Sequence, residues 1–312
     1  MQKNDLTGTR AAQPGRKRIM LAVVSLLVLA SLASCMAGIS AFFDEDRNPV
    51  QRISAVKALP PTRLEVKASV LTIDPVRGFM KVELEFDPRG DLVEANGHDM
   101  ARDVHVLTNN AQGQSEVILK KHHQAHPVEL TLSLLEGDVA LYPIDRYLAL
   151  LQLEAFIEPG GDDEVAVPLA INFVSRNHVL HAEAVLGPGS EAHEVNLQIR
   201  LQRPLAIQGF AWFINALMVM LALSSAIVAF NVSCRGKKLE PNLLVWMSAL
   251  LFVLPSMRNT LPGVPPLGAL TDFLVFFWVE AVVALCLFIM VLTWYGRVPD
   301  NEPAGAEPDQ KP

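Results

Sequence analysis

One carboxylate, Glu280, stands well inside the apolar run Phe273 to Tyr295. A lone acid at that depth costs roughly 3 kcal/mol on membrane-insertion scales, so it normally has a partner or a task. Two other charges lie nearby in sequence. Arg258 falls near the end of the preceding apolar run and Asp272 at the start of the last one. Glu280 is two turns beyond Asp272, about 12 Å deeper at 1.5 Å per residue. Arg258 can reach outward to Asp272 or inward toward Glu280, and outward pairing is cheaper because it keeps both charges near water. Glu280 is then protonated, paired with another subunit, or turned toward Asn215 or Ser248. A functional acid and a structural hydrogen bond both remain open.

The second group of candidates is the segment Gly137-Asp138-Val139-Ala140-Leu141-Tyr142-Pro143-Ile144-Asp145-Arg146-Tyr147. Pro143 fixes one backbone angle, and Asp138 and Asp145 can hydrogen-bond nearby amides to hold a tight loop. The loop either shapes a corner of a β domain or touches the turn between the last two apolar runs. His122, His123 and His126 form a third group that could bind zinc or copper weakly, but no acid or Cys completes a metal spacing. A solvated loop suits them better, and His178 and His181, three apart on or beside a strand, face opposite ways. No Gly-x-Ser-x-Gly elbow, P-loop, His-Glu-x-x-His or dinucleotide fingerprint is present. The expectation is therefore no enzyme, with no catalytic, metal-binding or cofactor-binding residue and no cofactor. The candidate functional or coupling residues are Asp138, Tyr142, Pro143, Asp145, Arg258, Asp272 and Glu280.

The elements that must position these residues follow from composition. The chain has 312 residues, 51% of them hydrophobic, and a net charge of −7 that excludes nucleic acid as a natural partner. The apolar excess falls in four blocks, Ile19–Phe43, Ile207–Phe230, Leu243–Met257 and Phe273–Tyr295. Three approach the ~20 residues a spanning helix needs, while the third is short or broken by Pro255. Arg16, Lys17 and Arg18, then Arg235, Lys237 and Lys238, then Arg297 fall on one side of four spans, which the positive-inside rule makes cytoplasmic.

The expected layout is a basic cytoplasmic N-terminus over 1–18, a first span over 19–43, a linker over 44–62 and an extracytoplasmic domain over 63–204. A second span over 205–230, a cytoplasmic loop over 231–241, a third span over 242–261 and an outer turn over 262–271 follow. A fourth span over 272–296 leads to a disordered, Pro- and acid-rich cytoplasmic tail over 297–312. Leu32-Ala33-Ser34-Cys35 also looks like a lipoprotein signal cleaved before Cys35, but the run stays apolar to Phe43 and fits an uncleaved anchor better. None of the three cysteines falls in the exported domain, so no disulfide framework supports it.

Residues 64–202 alternate apolar and polar side chains, as in Leu64, Val66, Ala68, Val70 and again in Val195, Leu197, Ile199, Leu201. Period two means strands with one buried face, and about seven to nine of them predict an antiparallel β-sandwich. Its last strand runs through Arg203-Pro204 almost directly into the second span, a stiff junction that can couple the two geometrically.

With Tyr142-Pro143-Ile144-Asp145-Arg146-Tyr147, then the stretch Leu254 to Gly268 and Phe276-Phe277-Trp278-Val279-Glu280, the chain resembles an uncharacterised bacterial membrane family, domain of unknown function 4436. The resemblance runs over roughly residues 20–297, and it implies the bacterial plasma (inner) membrane but no reaction. A weaker similarity is to pentameric ligand-gated ion channels. Asp138-x-x-x-Tyr142-Pro143-x-Asp145 has the spacing of their signature loop, and Leu261 to Gly268 resembles the turn on which that loop presses. The chain departs from them in its leading span, the missing trailing span, the absence of cysteines around the loop and the stretch Leu243–Leu254, which offers only Ser248 as a polar residue. The likeness is architectural.

The sequence thus predicts an integral membrane protein, with an exported antiparallel β-sandwich, one N-terminal and three C-terminal transmembrane helices, and both termini cytoplasmic. Its expected role is an envelope binding, sensing or structural module of unknown activity, the alternative being an oligomeric channel-like protein. The expected partners are the lipid bilayer, further copies of the chain and an unidentified extracytoplasmic ligand or protein.

Overall fold

The computed structural model describes residue 25 and residues 50–56, 58–95, 97–158 and 165–297. The chain divides into units Met1–Asn48 and Pro49–Pro312. Apart from residue 25, the expected first span, with Cys35, and the tail beyond 297 lie outside the described residues.

Alternating burial builds the β domain. The strands are β1 (Val50–Ile53), β2 (Arg63–Asp74), β3 (Phe79–Arg89), β4 (Val104–Thr108), β5 (Glu116–Leu119) and β6 (Val128–Glu136). They continue with β7 (Arg146–Ile157), β8 (Val165–Ala166), β9 (Leu169–Val174), β10 (His181–Leu186) and β11 (Glu194–Gln202). The main path is β1-β9-β2-β3-β6-β7-β11-β10, with β4 and β8 paired to β7 and β5 paired to β4. β6 joins the two halves: Val128 to Ser133 pair with β3, and Leu134 and Glu136 pair with β7 across a register shift. Inward residues of both halves, among them Leu64, Val66, Met80, Val82, Leu151, Leu153, Leu197 and Ile199, share one buried core. Each such side chain contributes about 1.5–3 kcal/mol by leaving water.

Two expectations change here. The sheet is mixed rather than antiparallel, because β2 and β9 run parallel from Leu64 opposite Leu169 to Ser69 opposite Val174. The segment 44–62, expected to be a linker, contains β1, which adds to β9 as an edge strand. Gln51 on β1 also accepts the Ala184 amide of β10 through its side-chain carbonyl at 2.9 Å, so the two ends of the strand path are bridged.

Three helices follow: α1 (Leu205–Ser233), α2 (Pro241–Asn259) and α3 (Phe277–Tyr295), the last preceded by a π-helical turn over Asp272–Phe276. All are long and apolar enough to cross a membrane. α2 continues through Pro255 rather than breaking there, since a Pro costs less where neighbouring helices supply packing. α1 buries Ala211, Asn215, Met218, Ala222, Ser225, Ala229 and Val232, a stripe spaced alternately by four and three residues. α3 answers with Val279, Val283, Cys286 and Met290. That spacing is the seam of two supercoiled helices, and its small residues let the backbones approach closely. The Ser233 and Thr293 hydroxyls, 2.9 Å apart, join the same ends of α1 and α3, so the two helices run parallel.

Candidate functional site

The site lies where the β domain turns into α1. Between β6 and β7, Asp138 caps a single 3-10 turn over Val139–Leu141, its Oδ1 accepting the Ala140 amide at 2.8 Å. Tyr142 follows, joined to Pro143 by a cis peptide. Tyr142 is fully buried, and the hydrophobic residues packed with it are not strand residues. It belongs to the hydrophobic cluster of Ala211, Ile214, Leu254, Leu261 and Ala269, so a loop of the β domain is inserted among the helices and their connection.

Asp145, three residues on, does not hold its own loop as expected; it reaches further. Its Oδ2 accepts the Tyr147 hydroxyl at 2.7 Å, and its Oδ1 accepts Nε of Arg203 at 2.6 Å. Both charged side chains of that pair are buried. The Arg203 guanidinium lies over the Tyr142 ring, 4.5 Å from its centroid, a cation–π arrangement strengthened by exclusion of water. The Pro-rich connection between α2 and α3 closes the other side. Gly263 has φ +74°, and a Cβ there would stand 2.8 Å from Nη1 of Arg203. Only glycine fits both the left-handed backbone and the close approach.

Burial pushes the Tyr142 hydroxyl up to about 12, with Arg203 opposing and Asp145 reinforcing the shift. Burial likewise raises Tyr147, together with its hydrogen bond to Asp145. Both phenols therefore stay neutral beside the Asp145–Arg203 pair.

Arg258 and Asp272 form the second element, and Arg258 pairs with Asp272 rather than with Glu280. Nε of Arg258 donates to Oδ1 at 2.9 Å and Nη2 to Oδ2 at 2.8 Å, while Nη2 also donates to the Pro266 carbonyl at 2.8 Å. Oδ2 of Asp272 further accepts the Gly268 amide at 2.8 Å. The bidentate pair is buried and staples the connection that presses on Tyr142 and Arg203.

Glu280 is not brought to this network. Its Oε2 is enclosed and has no hydrogen-bond partner among the described residues. The two expected candidates satisfy their own helices instead: Asn215 donates to the Ala211 carbonyl at 2.8 Å and Ser248 to the Leu244 carbonyl at 2.7 Å. The histidine loop is separate again, with His122 on Glu94 and His123 Nδ1 at 2.9 Å from the Lys121 carbonyl. Among the described residues no group of three His, Cys, Asp or Glu side chains is placed to hold a metal.

Arg203 and Tyr147 are the members absent from the sequence-derived set. The signal for Arg203 was a cation placed directly before Pro204 and a 29-residue apolar helix, where a charge entering an apolar region needs a counter-charge.

Residues 55–201 match a family described as domain of unknown function (DUF4436), and residues 203–297 match a second, described as domain of unknown function (DUF8686). The division falls beside Arg203, so the expected resemblance over 20–297 narrows to the β domain. No curated protein matches. Neither description names a channel, and the likeness to ligand-gated channels rests on the loop and turn residues alone.

Proposed function

We propose that this chain, whose residues 55–201 belong to the family of domain of unknown function 4436, is a multi-pass membrane protein whose β domain binds or senses a partner outside the bacterial plasma membrane and transmits its state to the helices. The observation that carries the reading is Tyr142, a β-domain residue buried in the helix cluster beneath a guanidinium held by Asp145. A domain that is merely tethered needs no such insertion. The basic residues between α1 and α2 and after α3 support the orientation. All four tryptophans lie in the helices, Trp212 and Trp278 toward the β-domain ends and Trp246 and Trp294 toward the others, as interfacial anchors do.

The same distribution supplies the test. Tryptophan fluorescence reports the helices alone, and amide exchange in β2, β3 and β11 reports the β domain. In the purified full chain, coupling requires the two probes to lose structure in one coincident thermal transition. Arg203→Gln should split it into two. Coincident transitions in the variant, or separate ones in wild type, would contradict transmission through the junction.

A second reading, an oligomeric channel-like assembly, has the contact of the Tyr142 loop with Leu261 and Ala269 in its favour. Between Leu243 and Leu254 of α2, Ser248 is the only polar side chain, which argues against conduction. Ion flux through liposomes holding the purified chain decides between them.

A further inference from the structure

A cleft of about 470 Å³ opens on the outward face of β7, β10 and β11, lined among others by Glu136, Arg146, Tyr147, Glu183, Arg200 and Gln202. Register fixes its chemistry. Arg146 stands opposite Gln202 and Arg200 opposite Leu148, so the two arginines are diagonal neighbours on adjacent strands and share one face. Glu183 faces Arg200 from β10, and Glu136 faces Leu148 from β6. Neither guanidinium makes a hydrogen bond or ion pair with a described residue. Two forked cations with free donors are suited to a phosphate, and the flanking carboxylates to an ammonium group.

Position says where such a ligand comes from. Gln202 is three residues before Leu205, the first residue of α1, hence within about 11 Å of the helix start. If α1 spans a bilayer, its length of about 44 Å exceeds the ~30 Å hydrocarbon core, so its first turns lie in the headgroup zone and the cleft borders that zone. The floor of the cleft is also wired to the junction. Tyr147 lines it, and its hydroxyl donates to the Asp145 that holds Arg203. Gly137, at φ +121°, lets the loop lie against that ring, since a Cβ there would overlap Tyr147 and the Arg146 carbonyl.

We propose that this cleft binds a phosphate group, presented as the zwitterionic headgroup of a phosphatidylethanolamine, with Arg146 and Arg200 on the phosphate and Glu136 and Glu183 on the ammonium. Occupancy bears on Tyr147 and through it on the Asp145–Arg203 pair, making the headgroup a regulator of the junction. The inference rests on the membrane reading above.

The test is native mass spectrometry of the full chain in detergent, titrated with short-chain phosphatidylethanolamine. The expected result is one lipid bound by wild type, with affinity lowered ~10-fold or more in the Arg146→Gln/Arg200→Gln double variant. Arg200→Lys should recover part of the loss, and Arg77→Gln, on the distant β2–β3 turn, should bind as wild type. The double variant should melt as wild type does, since both side chains are exposed. Equal lipid affinity in wild type and double variant, or no binding by wild type, overturns the site. Inorganic phosphate that displaces the lipid at equal concentration assigns the cleft to a free anion and overturns the headgroup. Release of the chain from membranes by alkaline carbonate sinks the membrane reading itself; an integral chain with an indifferent double variant sinks the cleft alone.

Discussion

Asp145 and Arg203, 58 residues apart in sequence, meet through a 2.6 Å hydrogen bond between Oδ1 and Nε, with both side chains out of water. The pair joins the loop before β7 to the residue after β11, at the point where the β domain becomes helix. Because Asp145 also accepts from Tyr147 and Arg203 also covers Tyr142, one ion pair holds two aromatic rings, one belonging to the β-domain core and the other to the helix cluster.

Removing one partner strands the other charge. Asp145→Asn and Arg203→Gln should each cost about 3–5 kcal/mol, and the double variant much less than their sum. Denaturant unfolding of the full chain in micelles measures the cycle; simple additivity would mean that the pair is not energetically real.

Tyr142 separates ring from hydroxyl. Its OH is buried without a hydrogen-bond partner among the described residues, so Tyr142→Phe should be neutral or mildly stabilising. Tyr142→Ala empties a closed site between loop and helices and should cost about 3–5 kcal/mol. Melting temperatures of the two variants check this, and a destabilised Phe variant would mean that the hydroxyl has an unseen partner.

Gly137 and Gly78 have left-handed φ values of +121° and +73°, but a Cβ at 78 meets nothing within 4 Å, whereas one at 137 overlaps backbone. Gly78→Ala should therefore cost only the strain of about 1–2 kcal/mol. Gly137→Ala should cost distinctly more, or abolish folding. Comparable melting temperatures would show that the loop before β7 relaxes freely.

Glu65 gives the acid-side pH response. Burial would push its carboxyl up, but the Arg63 hydrogen bond and the charges of Arg63, Arg89 and Arg52 outweigh it and hold it below the usual carboxylate range. Its contribution is therefore present above the unfolded value near 4.5 and lost as pH falls through the lower folded value. Tyr142, raised from 10.0 to about 12, works in the opposite sense: its contribution is complete below pH 10 and disappears as pH rises toward 12. Melting temperature against pH should fall at both ends. Glu65→Gln should flatten the acid limb only.

Glu280 finds no partner in the described residues, and in a helix that crosses a bilayer an unanswered acid costs roughly 3 kcal/mol. Glu280→Leu should leave the melting temperature of the chain in micelles unchanged or higher. A fall of several degrees would point instead to a partner supplied by another copy or by lipid.

Some of this was legible in the residue order because the physics is local. Leu64 to Val70 and Val195 to Leu201 alternate with period two, and that period alone makes a strand with one buried face. Arg258 and Asp272 could be paired because only a short Pro-rich connection separates them and outward pairing is cheap. The parallel pairing of β2 with β9 was not legible. Alternation says which side chains face inward but not which distant strand lies alongside, and sandwiches are commonly antiparallel. β1 was hidden for a related reason: an edge strand of four residues among prolines carries too little periodicity to stand out.

By itself, then, the sequence determined the local elements: strands with one buried face, three helices long and apolar enough to span, and a stapled connection between the last two. Each follows from side chains a few residues apart sorting between water and an apolar interior. Only the tertiary structure decided that Tyr142 leaves the β domain for the helix cluster, that Asp145 turns to Arg203 rather than to its own loop, and that Arg146 and Arg200 flank one cleft. Those relationships join residues tens of positions apart, and their energies depend on burial and register that exist only once the sheet has closed.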